Sequence, residues 1–174
     1  MSFDQLNVIS KSEDLYRELD DINKKAFLEI AQKTYQEINP KSEKKLDLAW
    51  LLTILLRYDP VTKYVYDHEV DRKRARFAES LIASKTKSKE FLTALNLWWK
   101  QTSQYGITVA DTAVIQAYTD LGVKKVMWNT AKDDKVCKIC KSRNKKIYPI
   151  DRIPDKPHYG CRCWFTPVEV KKDG

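Results

Sequence analysis

All four cysteines of this chain lie between Cys137 and Cys163, in the stretch CKICKSRNKKIYPIDRIPDKPHYGCRC, and His158, one of only two histidines, lies there too. No other feature restricts the fold as much. The surrounding region, residues 123–168, is short and polar, and Pro149, Pro154, Pro157 and Pro167 keep long helices out of it. A segment of that size buries too little apolar surface to hold itself together, so a cross-link is needed. Cys137-x2-Cys140 places two thiols on a tight turn where both reach one ion, and His158-x2-Cys161-x-Cys163 offers a second group after 17 intervening residues. Sulfur and imidazole donors arriving in pairs from two sides fit one structural zinc ion, whereas calcium and magnesium prefer oxygen. Five donors compete for four positions. Cys137 and Cys140 belong to every arrangement, and Cys161 belongs to either second pair. His158 and Cys163 contest the fourth place: the spacing of His158-x2-Cys161 favours His158, while Cys161 and Cys163 would point to one side of an extended segment.

Two other uses of clustered cysteine are weighed against metal. Disulfides would need an oxidising compartment, and the N-terminus MSFDQLNVIS shows no cationic start followed by an apolar stretch. A thioredoxin-like Cys-x-x-Cys would need a βαβ surround that the pattern does not offer. Metal in a reducing cytoplasm therefore leads, disulfides follow, and redox chemistry comes last. The longest apolar run, 48–56, is far short of the about 20 residues that span a bilayer, so no membrane association is expected.

Charge divides the chain in two. Residues 1–122 carry 18 Lys+Arg and 18 Asp+Glu, while residues 123–174 carry 14 and 6, so the entire net charge of +8 sits at the C-terminal end. Lys124, Lys125, Lys135, Lys138, Lys141, Arg143, Lys145 and Lys146 form the densest part, a candidate surface for non-specific phosphate contacts with DNA. The competing reading is a solvated surface that keeps a small metal region soluble.

Helical grammar fills residues 1–122, and this half is expected to be a body of about five helices. Ser10-x-x-Glu13 matches a capping box at a helix start, and Asn39-Pro40 stops that helix. A second helix over about 43–58 is apolar around much of its circumference and is expected to be deeply buried. A charged third helix over 62–84 holds His68 on a solvated face, and a fourth covers 88–104. There Trp98 and Trp99 point about 100° apart, so one of them is free for a partner unless the core is wide. Gly106 is expected to cap the fourth helix, with Thr108 and Asp111 starting a fifth that Gly122 closes. From Val123 the pattern changes to short strands, around 123–130, 146–149 and 162–166. The expected fold is thus mainly α, with residues 1–122 as the helical body and 123–174 as a small α+β, zinc-knuckle-like region. Trp128 is expected to pack on the knuckle near Trp164 and Phe165.

Trp128 is followed by Asp133, by Cys137-x-x-Cys140, and then by Pro157-His158-Tyr-Gly-Cys161-Arg162-Cys163. This order resembles the signature of the phage Mu protein F-like minor head proteins, also called phage head morphogenesis proteins. Residues 110–122 resemble the helix that leads into the tryptophan strand of that family, and the likeness covers roughly residues 105–168. It implies a minor structural component of the head of a tailed phage or prophage, associated with the portal vertex and procapsid, and in some relatives affecting DNA packaging or delivery. It also implies a place in the virion head, with the host cytoplasm as the site of assembly, and a motif role for Trp128, Asp133 and Arg162.

No catalysis is expected. A catalytic zinc keeps an open position beside a base, whereas here donors outnumber positions, and no Walker loop or serine elbow is present. A different class of function, a free-standing zinc-ribbon regulator that binds nucleic acid, would share the metal and the charge. It would leave the helical half without a task.

Overall fold

The computed structural model describes residues 3–57, 72, 75–76, 78–79, 82, 87–131, 133–158 and 160–168. Most of them are helical, and a small antiparallel sheet with a cysteine cluster follows near the C-terminus. The third helix expected over 62–84, with His68, falls largely outside the described residues; positions 72, 75, 76, 78, 79 and 82 are helical.

The first helix, α1 (Phe3–Ile38), starts well before the expected capping box. Ser10 lies inside it, and the Ser12 hydroxyl donates back to the Ile9 carbonyl at 2.7 Å. Ser12 and Tyr16 are buried, and the helix begins seven residues before Ser10. The proline stop behaves as expected: Asn39 N–H donates to the Tyr35 carbonyl and the helix ends at Ile38.

Helix α2 (Leu48–Leu55) is shorter than the 43–58 expected. The side-chain amide of Gln32 on α1 explains the difference. Its Oε1 accepts from Leu46 N–H at 2.8 Å and its Nε2 donates to the Lys44 carbonyl at 3.2 Å, so it satisfies backbone groups that a helix would otherwise use. Asp47 then caps α2, accepting from Trp50 N–H at 2.8 Å. Burial falls on one side only: Leu51, Ile54 and Leu55 are enclosed, whereas Leu48 and Leu56 are about half exposed.

Helix α3 (Lys87–Asp120) runs unbroken through Gly106, where two helices had been expected. Gly106 is a packing residue rather than a cap. A Cβ there would sit 3.4 Å from the Phe27 ring of α1, at the tight edge of ordinary contact, so the position lies against α1 in mid-helix and not at a helix end. Gly122 does end the helix. Its φ of +79° is the left-handed conformation glycine favours, and Val123 N–H donates to the Tyr118 carbonyl while Gly122 N–H donates to that of Thr119, the paired bonds of a Schellman turn. Helices α1, α2 and α3 precede Gly122 together with the helical positions between 72 and 82, and the break expected at Gly106 is absent, so the five-helix body is corrected.

Phe27, Ala31 and Tyr35 on α1 face Tyr105, Val109, Ala113 and Ala117 on α3, one residue every four, with Leu46 and the buried side of α2 closing the core. Such i, i+4 ridges with alanine on both sides bring helices close together. The far end of this core is pinned at Asp120. Its Oδ2 accepts from the Tyr35 hydroxyl at 2.7 Å and from Lys44 Nζ at 2.8 Å, and its Oδ1 from Gln116 Nε2 at 2.9 Å. Burial alone would raise the Asp120 pKa, but the hydrogen bonds from Lys44, Tyr35 and Gln116 outweigh it and hold the carboxyl below its ordinary 3.8. Replacing Tyr35 with Phe keeps the buried ring and removes one bond to a charged group, and is expected to lower stability by about 1.5 kcal/mol in urea unfolding. The sign with pH follows from the lowered pKa. The Asp120 contribution is fully present above 3.8 and is lost as pH falls through the lower folded value, so the Tyr35→Phe deficit shrinks in acid. A deficit that grows below pH 4 would contradict this assignment.

The remaining elements are β1 (Lys125–Asn129), α4 (Lys138–Arg143), β2 (Ile147–Pro149) and β3 (Trp164–Pro167). The strands lie close to the three expected segments and pair antiparallel in the order β2-β1-β3. Val126 lies opposite Tyr148, and Trp128 opposite Phe165. One sheet face buries Val126, Trp128 and Phe165 with Cys140, Cys161 and Cys163, and Ile115 and Tyr118 of α3 pack against this second core. Helix α3 therefore serves two cores from different sides of one rod: Ala113 and Ala117 to the first, Ile115 and Tyr118 to the second.

Candidate metal centre

Cys137 ends an extended segment and caps α4. Its Sγ accepts from the backbone N–H of Cys140 at 3.3 Å, which places both sulfurs of the Cys-x-x-Cys on one turn. The short helix α4 was not foreseen, since six residues carry no readable period. The second ligand group arrives on the loop between β2 and β3, and Cys163 directly precedes β3.

The five expected donors converge. Cys137, Cys140 and His158 have ligand atoms mutually within 4.8 Å, and so do Cys140, Cys161 and Cys163. Cys140 is shared by the two sets. Tetrahedral zinc with Zn–S near 2.3 Å separates two sulfurs by about 3.8 Å. Cys140 Sγ lies 3.6 Å from Cys161 Sγ and 3.7 Å from His158 Nε2, so these spacings suit one tetrahedral ion. All four cysteines are free thiols rather than disulfides, and the sheet is antiparallel throughout, so no βαβ surround frames the Cys-x-x-Cys among the described residues. The cluster can hold a metal ion.

The electrostatics fit a cation. The Cys140 backbone N–H brings the Cys137 thiol down to about 7, against the opposing effect of burial, with further help from the Cys140 and His158 side chains. Burial pushes the Cys140 thiol up, and the neighbouring sulfurs of Cys137, Cys163 and Cys161 add to it. Burial also raises Cys163, opposed by Cys140 and by Trp128. Enclosed sulfurs this close together cannot all ionise unless a positive charge sits among them.

The supporting residues come to the same place. Trp128 is fully buried, with its ring edge-on to Phe165 at 5.2 Å and to Tyr148 at 6.3 Å. Phe165 lies beside it as expected, whereas Trp164 turns outward and is about half exposed. Asp133 and Arg162 form a two-pronged ion pair, Nη2 to Oδ1 at 2.7 Å and Nη1 to Oδ2 at 2.6 Å, which ties the loop before Cys137 to the segment between Cys161 and Cys163. The Arg162 hydrogen bond holds the Asp133 carboxyl below its usual range.

Of the basic residues expected to meet DNA, Lys124, Lys125, Lys135, Lys138, Lys141, Lys145 and Lys146 are exposed and Arg143 is partly buried. Arg143 and Lys145 are also engaged by other residues of the chain. The Arg143 guanidinium stacks over the Trp128 ring at 5.0 Å and donates to the Asp155 carbonyl at 2.6 Å, and Lys145 Nζ donates to Asn129 Oδ1 at 2.8 Å. Trp99 is 65% exposed, and the Trp98 side chain lies outside the described residues.

Sequence reasoning missed how the second ligand loop is fastened to α3. Gly160 N–H donates to Gln104 Oε1 at 2.8 Å, and Lys156 Nζ pairs with Asp111 Oδ2 at 2.5 Å. Asp111 had been read as a helix start; it instead holds the loop beside His158. An acidic residue facing outward from a helix carries no local sign of a partner 45 positions away. Among the described residues no helix is long and apolar enough to cross a membrane. Comparison of the chain with family models, with curated proteins and with solved structures gives no match.

Proposed function

We propose that this chain is a minor structural protein of a tailed phage or prophage head, of the head-morphogenesis kind. In this reading its C-terminal region is folded by one structural zinc ion and its helical body meets the portal or procapsid. The observation that carries the reading is the convergence of the motif residues into one physical unit. Trp128, Asp133, Cys137, Cys140, His158, Cys161, Arg162 and Cys163 were singled out by their order in the chain, and in space they form a buried tryptophan, an ion-pair clasp and five metal donors within one small region.

Zinc is the metal that suits this donor set, since thiolate and imidazole in tetrahedral spacing favour it over oxygen-seeking ions. Its chemistry here is structural. Four or five nitrogen and sulfur donors saturate the ion, leaving no open position for a substrate, so no reaction is assigned. The exposed Trp99 on α3 is a candidate contact for a multimeric partner, and the exposed lysines suit weak, salt-sensitive contacts with packaged DNA.

The protein expressed with its phage genes should co-purify with portal or procapsids, carry one equivalent of zinc, and lose co-purification but not zinc on Trp99→Glu. Zinc-replete protein that never associates with either particle would favour the regulator reading. In that case a strong, salt-dependent affinity for duplex DNA is the expected result.

A further inference from the structure

Trp128 Nε1 is enclosed and has no hydrogen-bond partner, although the rest of the residue is tightly provided for. The Trp128 backbone N–H donates to the Lys146 carbonyl and its carbonyl accepts from Lys145 N–H, and its ring is held by Phe165, Tyr148 and Arg143. A buried indole N–H without an acceptor is costly, and conservative packing would place phenylalanine at such a position. Sheet geometry shows what lies beside it. Trp128 pairs with Phe165 across the β1–β3 ladder, so Cys163, two residues before Phe165, falls on the same face as a diagonal neighbour within reach of a large aromatic. Both side chains belong to the same buried cluster. His158 shares its donor set with Cys137 and Cys140 instead.

We propose that the indole N–H of Trp128 is the hydrogen-bond donor to the sulfur of Cys163 at the metal centre, and that this contact makes Cys163 the fourth ligand and leaves His158 outside the coordination set. The inference rests on the metal reading above and deepens it. A metal-bound thiolate keeps its negative charge when buried and is the acceptor this N–H lacks; a neutral thiol is a poor one. Hydrogen bonds from outside the ligand set orient the donors and raise metal affinity. Trp128 is thus a positioning residue: it acts on the ion only through Cys163.

Full-length protein loaded with cobalt(II) distinguishes the alternatives, because the sulfur-to-cobalt charge-transfer absorption grows with the number of coordinated thiolates. The wild type should show four thiolates. His158→Ala should leave that spectrum unchanged, and Cys163→Ser should lose one thiolate's share. Trp128→Phe keeps an aromatic ring and removes the N–H. It should keep four thiolates and weaken zinc binding about tenfold in chelator competition, with no further loss when added to Cys163→Ser. Should Trp128→Phe fail to fold, the wild type itself provides the test. Loaded with an NMR-active cadmium isotope, it should show scalar coupling between the metal and one tryptophan indole proton, which passes only through a hydrogen bond to a coordinated sulfur. Metal uptake with three thiolates, a spectrum altered by His158→Ala, or no indole coupling overturns the proposal and leaves the metal reading standing. A wild type that takes up neither cobalt nor zinc overturns both.

Discussion

Stripping zinc from the full-length protein with a chelator is expected to unfold the sheet, α4 and the ligand loop together, while the core around Phe27, Ala31, Tyr35 and Val109 keeps its amide protection. Structural zinc contributes roughly 10–16 kcal/mol in small modules, as much as or more than the entire stability of a typical domain, so an ion of that kind would dominate the stability of this region. The affected zone should extend into α3 near Ile115 and Tyr118, because these side chains pack against the cysteine-bearing core, and should fade toward Gly106. Among single substitutions Cys140→Ser should be the most damaging, since Cys140 is the donor common to both sets. Hydrogen exchange read by mass spectrometry would follow each segment. Full protection of β1 and β3 in metal-free protein would refute the coupling of metal to fold.

The second large effect is expected at Trp128. Truncation to alanine removes a fully enclosed ring, together with its contacts to Phe165, Tyr148 and the Arg143 guanidinium. Large-to-small changes of this kind cost about 3–5 kcal/mol, which for a chain of this size lowers the melting temperature by roughly 10 °C. The loss should appear in zinc-loaded protein, where it reports packing. Unaltered melting would mean that the metal alone organises the region.

The cluster of possible metal donors and the strands were legible in the sequence because their signals are local. Cys-x-x-Cys and the His158 group declare themselves by spacing, the prolines forbid helices, and short β-branched and aromatic runs have few other uses. Asn39-Pro40 and Gly122 punctuated the chain as backbone sterics require. The misreadings came where one residue type serves two ends. Gly106 looks like a cap in sequence and sits in mid-helix in space, where its neighbour is the ring of Phe27, far away in the chain. Ser10-x-x-Glu13 satisfies the capping pattern, yet the helix runs through it from Phe3. The Gln32 amide that keeps residues 44–46 out of α2 gives no sign of itself before the helices are placed. The pairing of Asp133 with Arg162 and of Asp111 with Lys156 joins positions whose charges, read along the chain, resemble ordinary solvated ones.

The unbroken course of α3 has a mechanical consequence. At 1.5 Å per residue its 34 residues form a strut about 50 Å long, packed on α1 and α2 along one side and fastened to the cysteine-bearing region from Gln104 to Tyr118. A proline or a flexible linker at residue 106 would have made a hinge, and tension on one half would then have been dissipated in bending. With a continuous helix through that point, a pull or twist on the zinc region is delivered to α1 and α2 as a torque.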